Sequence, residues 1–122
     1  MDLNMAIQKH AQWKFKFQSC LHEHQTGKKT EPLDVATITK DDCCEFGAWL
    51  HGAKYLYQQL PAYGKCISAH AEFHVEAGKV AAAINAKKLV DAERMLSSNS
   101  GFAEASKKVG VAIIELKNLT HT

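Results

Sequence analysis

Apolar residues recur every three or four positions along most of the chain, which is the spacing of one face of an α-helix. Only two prolines occur, Pro32 and Pro61, so few positions oppose helix formation. This spacing favours helices over strands. The pattern predicts an all-α fold that resembles a four-helix bundle with an additional short helix.

The first predicted helix spans residues 2–24 and has one apolar face. The side chains predicted to point inward from it are Leu3, Ile7, His10, Trp13, Phe17 and Leu21. Residues 25–39 lack sustained helical periodicity and contain Gly27 and Pro32. They are predicted to form a long, exposed connection that is a candidate for mobility.

Thr39, followed by Asp41 and Asp42, predicts the start of a short helix, because a hydroxyl caps a helix and carboxylates favour its first turn. Gly52 is the predicted end of this helix. The residues that it is predicted to carry are Cys44, Phe46, Trp49 and Leu50.

A long helix is predicted from Pro61, which suits a first turn, to residue 86. Its predicted inward side chains are Tyr63, Ile67, His70, His74, Ala77, Ala81 and Ile84. A shorter helix over residues 87–96 is followed by a polar break at 97–101 and by a last helix at 102–119. The last helix is predicted to direct inward Phe102, Val109, Ile113 and Leu116.

A chain of 122 residues and 13.5 kDa is long enough for one hydrophobic core, so a single domain over residues 1–122 is expected. No apolar run approaches the roughly 20 residues that span a bilayer, and no signal peptide is visible at the N-terminus. A cytoplasmic location is therefore expected.

The lysines are scattered at a net charge of +2, which argues against nucleic-acid binding. Four cysteines without a signal peptide favour reduced thiols or metal ligands over disulfides.

Three histidines and one cysteine form a candidate metal site. His70 and His74 are four residues apart and project from one helix face, although such a pair alone is more often exposed or part of a core. His10, taken alone, is best interpreted as a buried histidine bonded to a carbonyl or carboxylate. Together with Cys44, these groups would be costly to bury unless they shared a partner. A tetrahedral zinc ion satisfies all four, and zinc suits a set of thiolate and imidazole donors.

Several motifs carry a family resemblance: His10 with Trp13, Cys44-Glu45-Phe46-Gly47-Ala48-Trp49 followed by Leu50, His70-x-x-x-His74, and a late run of Ala92 to Leu96 with Phe102 and Ala105-Ser106. With them the chain strongly resembles the chemoreceptor zinc-binding (CZB) domain over essentially its whole length. The resemblance implies a zinc ion held by His10, Cys44, His70 and His74 inside a helical bundle. It also implies a cytoplasmic sensory module of chemoreceptors or diguanylate cyclases that responds to zinc or to oxidants such as hypochlorous acid.

A zinc ion with four protein ligands has no open position for a substrate, so no enzymatic activity is expected. A homodimer is expected, with an output domain or a separate signalling partner that these residues do not contain. Two alternatives stay open: a purely structural zinc site in an interaction module, and a di-iron bundle of the haemerythrin type. The di-iron alternative is weakened because such sites need carboxylates on the inward faces.

Other groups could compete for these roles. Cys66 lies one turn before His70 and is a rival thiol, although the family pattern favours Cys44. Cys43 is predicted to face away from Cys44, and Cys20 to behave as a small hydrophobic residue. Gly47 is predicted to permit close helix packing. The remaining histidines are predicted to be solvated or capping groups: His22, His24, His51 and His121.

Overall fold

The chain folds into α-helices without strands within residues 1–120, which are the residues that the computed structural model describes. The all-α prediction is confirmed. The helices are α1 (Leu3–Gln25), α2 (Val35–Thr39), α3 (Glu45–Gly52), α4 (Lys54–Tyr57), α5 (Pro61–Asn85), α6 (Leu89–Met95) and α7 (Gly101–Thr120).

The three long helices α1, α5 and α7 form the frame of the bundle. Asp2 caps α1, because its Oδ1 accepts a hydrogen bond of 3.1 Å from the amide of Met5. Pro61 occupies the first turn of α5, as predicted. Helix α5 packs against α7, α1, α2 and α6, so it is the central element on which the other helices lie.

The predicted inward faces are largely confirmed. All four residues predicted on α7 are buried, and six of the seven on α5, whereas Ile67 is partly buried. On α1, Ile7 and Trp13 are also only partly buried. The sequence interpretation missed Phe73 on α5, whose side chain is fully buried between the histidines and Phe102.

The predicted connection at residues 25–39 is wrong in its second half, which forms helix α2 and packs against α5. Asp34 caps this helix by accepting a hydrogen bond of 3.1 Å from the amide of Thr37. Ile38 is buried, and Gly78 on α5 lets Thr39 approach the helix backbone closely. A segment this short is stabilised by such tertiary contacts, which periodicity does not reveal.

The residues just before α2 are also held against α5. The side chain of Asn85 accepts a hydrogen bond of 2.9 Å from the amide of Leu33 and donates one of 2.8 Å to its carbonyl. This pair of bonds satisfies the backbone amide and carbonyl of Leu33. The second half of the predicted mobile connection is therefore attached to the central helix at both ends.

The predicted start of the short helix expected to carry Cys44 is also wrong. Thr39 is the last residue of α2, where its hydroxyl donates a hydrogen bond of 2.7 Å to the carbonyl of Val35. Helix α3 begins at Glu45, and Cys44 is its N-cap residue in extended conformation. The helix ends at Gly52 as predicted. Cys44 therefore lies at the end of a helix rather than within one.

The remaining differences concern short elements. The one-turn helix α4, which follows α3, was not predicted. Helix α6 starts two residues later than predicted, after Lys87, whose φ of 59° is left-handed and interrupts the helix. No helix among residues 1–120 is long and apolar enough to cross a membrane.

Candidate metal centre

Two imidazoles of the candidate centre come from α5. His70 and His74 are one turn apart, and their Nε2 atoms lie 3.0 Å from each other. The side chains are 0% and 2% exposed. The predicted pair is therefore present, and both rings point into the bundle.

The third imidazole comes from α1. The Nε2 atom of His10 lies 3.0 Å from Nε2 of His70, although 60 residues separate the two in sequence. His10 is 5% exposed, and its ring contacts those of His70 and His74 edge to face. Its Nδ1 donates a hydrogen bond of 2.7 Å to the carbonyl of Ala6. This bond matches the simple interpretation of a buried histidine, while Nε2 faces the other candidate ligands.

The thiol of Cys44 completes the cluster from the start of α3. Its Sγ lies 3.4 Å from Nε2 of His70 and 3.6 Å from Nε2 of His74. The same sulfur accepts a hydrogen bond of 3.3 Å from the amide of Gly47 and thereby caps the helix. The N-cap position fixes the direction in which the thiol points, and the positive end of the helix favours a negative sulfur there.

The spacing of the four donor atoms fits one tetrahedral zinc ion. These atoms all lie within 4.8 Å of one another. Around a tetrahedral zinc, two nitrogens lie about 3.3 Å apart and a nitrogen and a sulfur about 3.6 Å. The sulfur to nitrogen distances of 3.4 and 3.6 Å match this arrangement, and the two nitrogen contacts of 3.0 Å are shorter by a few tenths of an ångström.

The outer nitrogens of two histidines fix their tautomers. Nδ1 of His10 is bonded to Ala6, and Nδ1 of His74 donates a hydrogen bond of 2.8 Å to the carbonyl of Ile38. Their Nε2 atoms therefore carry lone pairs, which are directed at the centre. These lone pairs lie within 4.8 Å of each other and of the other two donor atoms, so one cation could accept all of them and the donor set fits a bound metal. Nδ1 of His70 is a buried atom without a hydrogen-bond partner within residues 1–120.

Two phenylalanines cover the imidazoles. The ring of Phe46 lies edge to face on those of His10 and His70, and the ring of Phe73 contacts His10 and His74. Both phenylalanines are almost fully buried. This apolar cover lowers the polarity around the imidazoles and strengthens electrostatic interactions among them.

Gly47 is required for the short distance between α3 and α5. A Cβ atom at this position would collide with the backbone carbonyl of Asp41 and lie 3.0 Å from Cε1 of His70. The predicted role of Gly47 in close packing is therefore confirmed. The hydroxyl of Tyr63 also joins the two helices by donating a hydrogen bond of 2.6 Å to the carbonyl of Leu50.

Burial controls the protonation of the cluster in the absence of a metal. Burial, together with the nearby His74 and His10, lowers the pKa of His70 to about 2. Burial also lowers the pKa of both His10 and His74. It raises the pKa of Cys44, although the amides of Gly47 and of Phe46 oppose this shift. Without a cation the centre is therefore three neutral imidazoles and one neutral thiol.

The rival thiols lie outside the cluster. Cys66 is fully buried, and burial raises its pKa to about 12, so it remains an unreactive thiol. Cys43 is exposed, and Cys20 is partly buried against the core. Cys43 and Cys44 both precede the first residue of α3, so neither lies within a helix.

The other histidines have separate surroundings. His22 is exposed, Nε2 of His24 lies 3.0 Å from the hydroxyl of Thr30, and Nε2 of His51 lies 3.0 Å from Oδ2 of Asp41. The prediction for His121 lies outside the described residues. Within residues 1–120, the group of side chains that could hold a metal ion consists of His10, Cys44, His70 and His74.

Comparison with known proteins agrees with this geometry. The family model of the chemoreceptor zinc-binding domain matches residues 10–81, which is more than half of the chain and includes all four donors. No curated protein and no solved structure matches the chain significantly. The chain therefore belongs to the chemoreceptor zinc-binding domain family, whose members are regulatory zinc-binding domains, and its cofactor is Zn²⁺.

Proposed function

We propose that this chain is a zinc-dependent sensory domain of bacterial signal transduction, in chemotaxis or cyclic-di-GMP signalling. The observation that carries the proposal is the convergence of one thiol and three buried imidazoles within 4.8 Å, in a chain that belongs to this family. The proposed zinc ligands are His10, Cys44, His70 and His74. The signals that it senses are zinc itself, oxidants such as hypochlorous acid, or both.

The chemistry of the site depends on Cys44. Bound zinc supplies the positive charge that keeps this thiol deprotonated, and with four protein ligands it has no open position for a substrate. The domain is therefore proposed to have no enzymatic activity. The burial that raises the pKa of Cys44 keeps the sulfur protonated otherwise, so its reactivity is coupled to metal occupancy.

Oxidation of Cys44 is the proposed chemical step of oxidant sensing. The thiolate sulfur attacks hypochlorous acid and takes up its hydroxyl group, which gives a sulfenic acid and releases chloride. The sulfur is oxidised by two electrons and the chlorine is reduced by two. A sulfenic acid is a poorer donor than a thiolate, so the contact between Cys44 and the centre weakens.

The contacts of the centre explain how this change would be transmitted. Cys44 caps α3, Nε2 of His10 on α1 lies 3.0 Å from Nε2 of His70, and His74 is bonded to the carbonyl of Ile38 in α2. Three helices are thus attached to α5 through groups at or next to the centre. Loss of the Cys44 bond first releases the start of α3, and the displacement of this helix is the proposed signal.

A purely structural zinc site is the alternative function. It requires the same four donors and predicts that oxidants do not release the metal at signalling concentrations. The di-iron alternative is not favoured, because the group in residues 1–120 contains a thiol and no carboxylate.

The extent, location, oligomeric state and partner of the domain are also proposed. We expect one domain over residues 1–122, located in the cytoplasm and acting as a homodimer. Its partner is the output domain of a chemoreceptor or diguanylate cyclase, or a separate signalling protein. The family assignment and the helical fold support this placement.

Metal analysis with oxidant titration tests the proposed function. The purified protein is expected to contain one zinc per chain and to release it, measured with a coloured chelator, as hypochlorous acid is added. A Cys44→Ala variant should bind zinc more weakly, by roughly 10- to 1000-fold, because one of four ligands is lost.

The matched control is Cys66→Ala, which removes the rival thiol and should leave oxidant-driven release unchanged. Zinc affinity and oxidant response equal to those of the parent in Cys44→Ala would show that the proposed ligand set is wrong. A parent protein that keeps its zinc under oxidant, with affinity still dependent on Cys44, would favour the structural alternative.

A further inference from the structure

A groove on the surface leads to the candidate metal centre. It has a volume of about 390 Å³ and runs between the N-terminal half of α1 and the start of α3. Both His10 and Cys44 line it. His10 is only 5% exposed, whereas Cys44 is partly exposed, so Cys44 is the more accessible of the two donor residues that line this groove.

The walls of the groove expose more apolar than polar surface. They include the side chains of Met5, Ala6, Trp13 and Phe46. A small uncharged molecule loses little hydration free energy when it enters a groove with such walls, whereas an ion loses much more. The walls therefore favour small, uncharged reagents.

Four charged side chains that line the groove contact other groups, and they comprise two of each sign. The ammonium of Lys9 lies 3.3 Å from Oε2 of Glu45 at the rim, and that of Lys16 lies 4.7 Å from the ring centre of Trp13. Asp2 accepts the capping hydrogen bond at the start of α1. The groove thus lacks a concentrated charge of either sign that would attract an ion.

The neighbouring thiol, that of Cys43, belongs to a different part of the surface. Cys43 lines a second groove with Ala71 and Val75, and Cys44 does not line that one. The two adjacent cysteines are therefore exposed on different surfaces, and a reagent in the second groove meets Cys43 instead.

We propose that the groove between α1 and α3 is the access route to the Cys44 sulfur, and that Met5 at its wall determines which reagents react there. The reagents are small uncharged oxidants and electrophiles, of which neutral hypochlorous acid is one. This inference deepens the proposed function and rests on it for its biological use, but access to the sulfur is measurable by itself.

The test plugs each groove in turn in the zinc-loaded protein. Met5 is 46% exposed, so Met5→Trp adds bulk at the groove without disturbing the core. Modification of Cys44 by N-ethylmaleimide is followed by mass spectrometry in a Cys43→Ser background, because both cysteines lie on the same tryptic peptide. The plug is expected to slow the reaction about tenfold.

The control is Val75→Trp, which places the same ring in the second groove and should leave the rate at Cys44 unchanged. Zinc content must be equal in all proteins. Gln12→Trp, at another exposed position of the first groove, replaces Met5→Trp if that variant does not fold.

Equal rates in the plugged and parent proteins, or slowing only by Val75→Trp, would overturn the proposed access route. Oxidant-driven zinc release is measured separately on the parent. If Met5→Trp slows the modification of Cys44 by N-ethylmaleimide but hypochlorous acid releases no zinc from the parent, the access route is confirmed and the oxidant-sensing function is wrong.

Discussion

Cys44 has two roles that depend on the same atom. Its Sγ lies within the candidate metal centre and also accepts the amide hydrogen of Gly47, so it acts both as a proposed zinc ligand and as the cap of α3. An amide bonded to a thiolate withdraws part of its charge and fixes its direction. A change in the chemistry of this sulfur therefore directly alters the N-terminal cap of α3.

The Gly47→Ala variant tests how tightly this residue-scale geometry is set. The added methyl group would collide with the carbonyl of Asp41 and crowd the ring of His70, so α3 must shift relative to the segment before it and to α5. We expect zinc affinity to fall by roughly 10- to 100-fold, as when a supporting contact of a metal ligand is lost. Competition with a chelator of known affinity measures this change.

Gly64→Ala is the matched control, because a Cβ atom at this position of α5 would meet nothing within 4 Å. It should leave zinc affinity unchanged and raise the free energy of unfolding by about 0.5–1 kcal/mol, since alanine favours a helix over glycine. Parent-like zinc affinity in Gly47→Ala would mean that α3 tolerates displacement without moving the thiol.

At the scale of elements, α2 links the candidate centre to the chain before it. The carbonyl of Ile38, near the end of this five-residue helix, accepts the hydrogen bond of His74. Gly78 lies one turn after His74 on α5. It allows α2 to pack against α5 because its missing side chain leaves room for Thr39. The position of α2 and the orientation of an imidazole are therefore coupled.

The Gly78→Ala variant tests this coupling. A Cβ atom would collide with Oγ1 of Thr39 and lie 3.1 Å from its Cβ, and this hydroxyl is already held by the carbonyl of Val35. We expect α2 to be displaced, with a loss of about 1–3 kcal/mol in the free energy of unfolding. Hydrogen exchange of the amides of residues 35–39 should become faster, and zinc affinity should fall.

Gly110→Ala on α7 is the control, because nothing lies within 4 Å of the added atom. It should give slight stabilisation and parent-like exchange in α2. Faster exchange confined to α2, with zinc affinity unchanged in Gly78→Ala, would show that the bond from His74 to Ile38 does not orient the imidazole.

The sequence predicts the long elements well and the short ones poorly. Helices α5 and α7 extend over enough turns for their apolar spacing to be recognised, and the pair His70 and His74 follows from the same periodicity. Helix α2 depends on the contact of Thr39 with Gly78, 39 residues away in sequence, which local spacing cannot reveal. The choice of Cys44 over Cys66 came from the family motif, and only the packing of α3 on α5 shows how the thiol reaches the centre.

For the whole molecule, the candidate centre replaces apolar core with polar groups at the junction of α1, α3 and α5. Three buried imidazoles and a half-buried thiol are costly in an apolar interior unless their lone pairs are used. Zinc held by the four proposed ligands would use all of these lone pairs, so metal affinity and folding stability should be linked. The protonation state of the metal-free centre then decides how this linkage depends on pH.

The pH dependence of zinc affinity tests this state. Burial lowers the pKa of His10, His70 and His74 and raises that of Cys44, so near neutral pH the imidazoles are already neutral and the thiol holds a proton. Zinc binding then releases one proton, from the sulfur. Since this proton competes with zinc, the Kd should rise about tenfold for each unit that the pH falls, from about pH 8 to about pH 6.

Proton release is measured by calorimetry in buffers that differ in ionisation enthalpy. Cys44→Ala keeps the three imidazoles, so it should bind zinc more weakly and release no proton in the same range. Histidines with an ordinary pKa of about 6.5 would add further protons as the pH falls through that value. Release of two or more protons near pH 6 would therefore contradict the lowered pKa of the histidines and show that the metal-free centre opens to water.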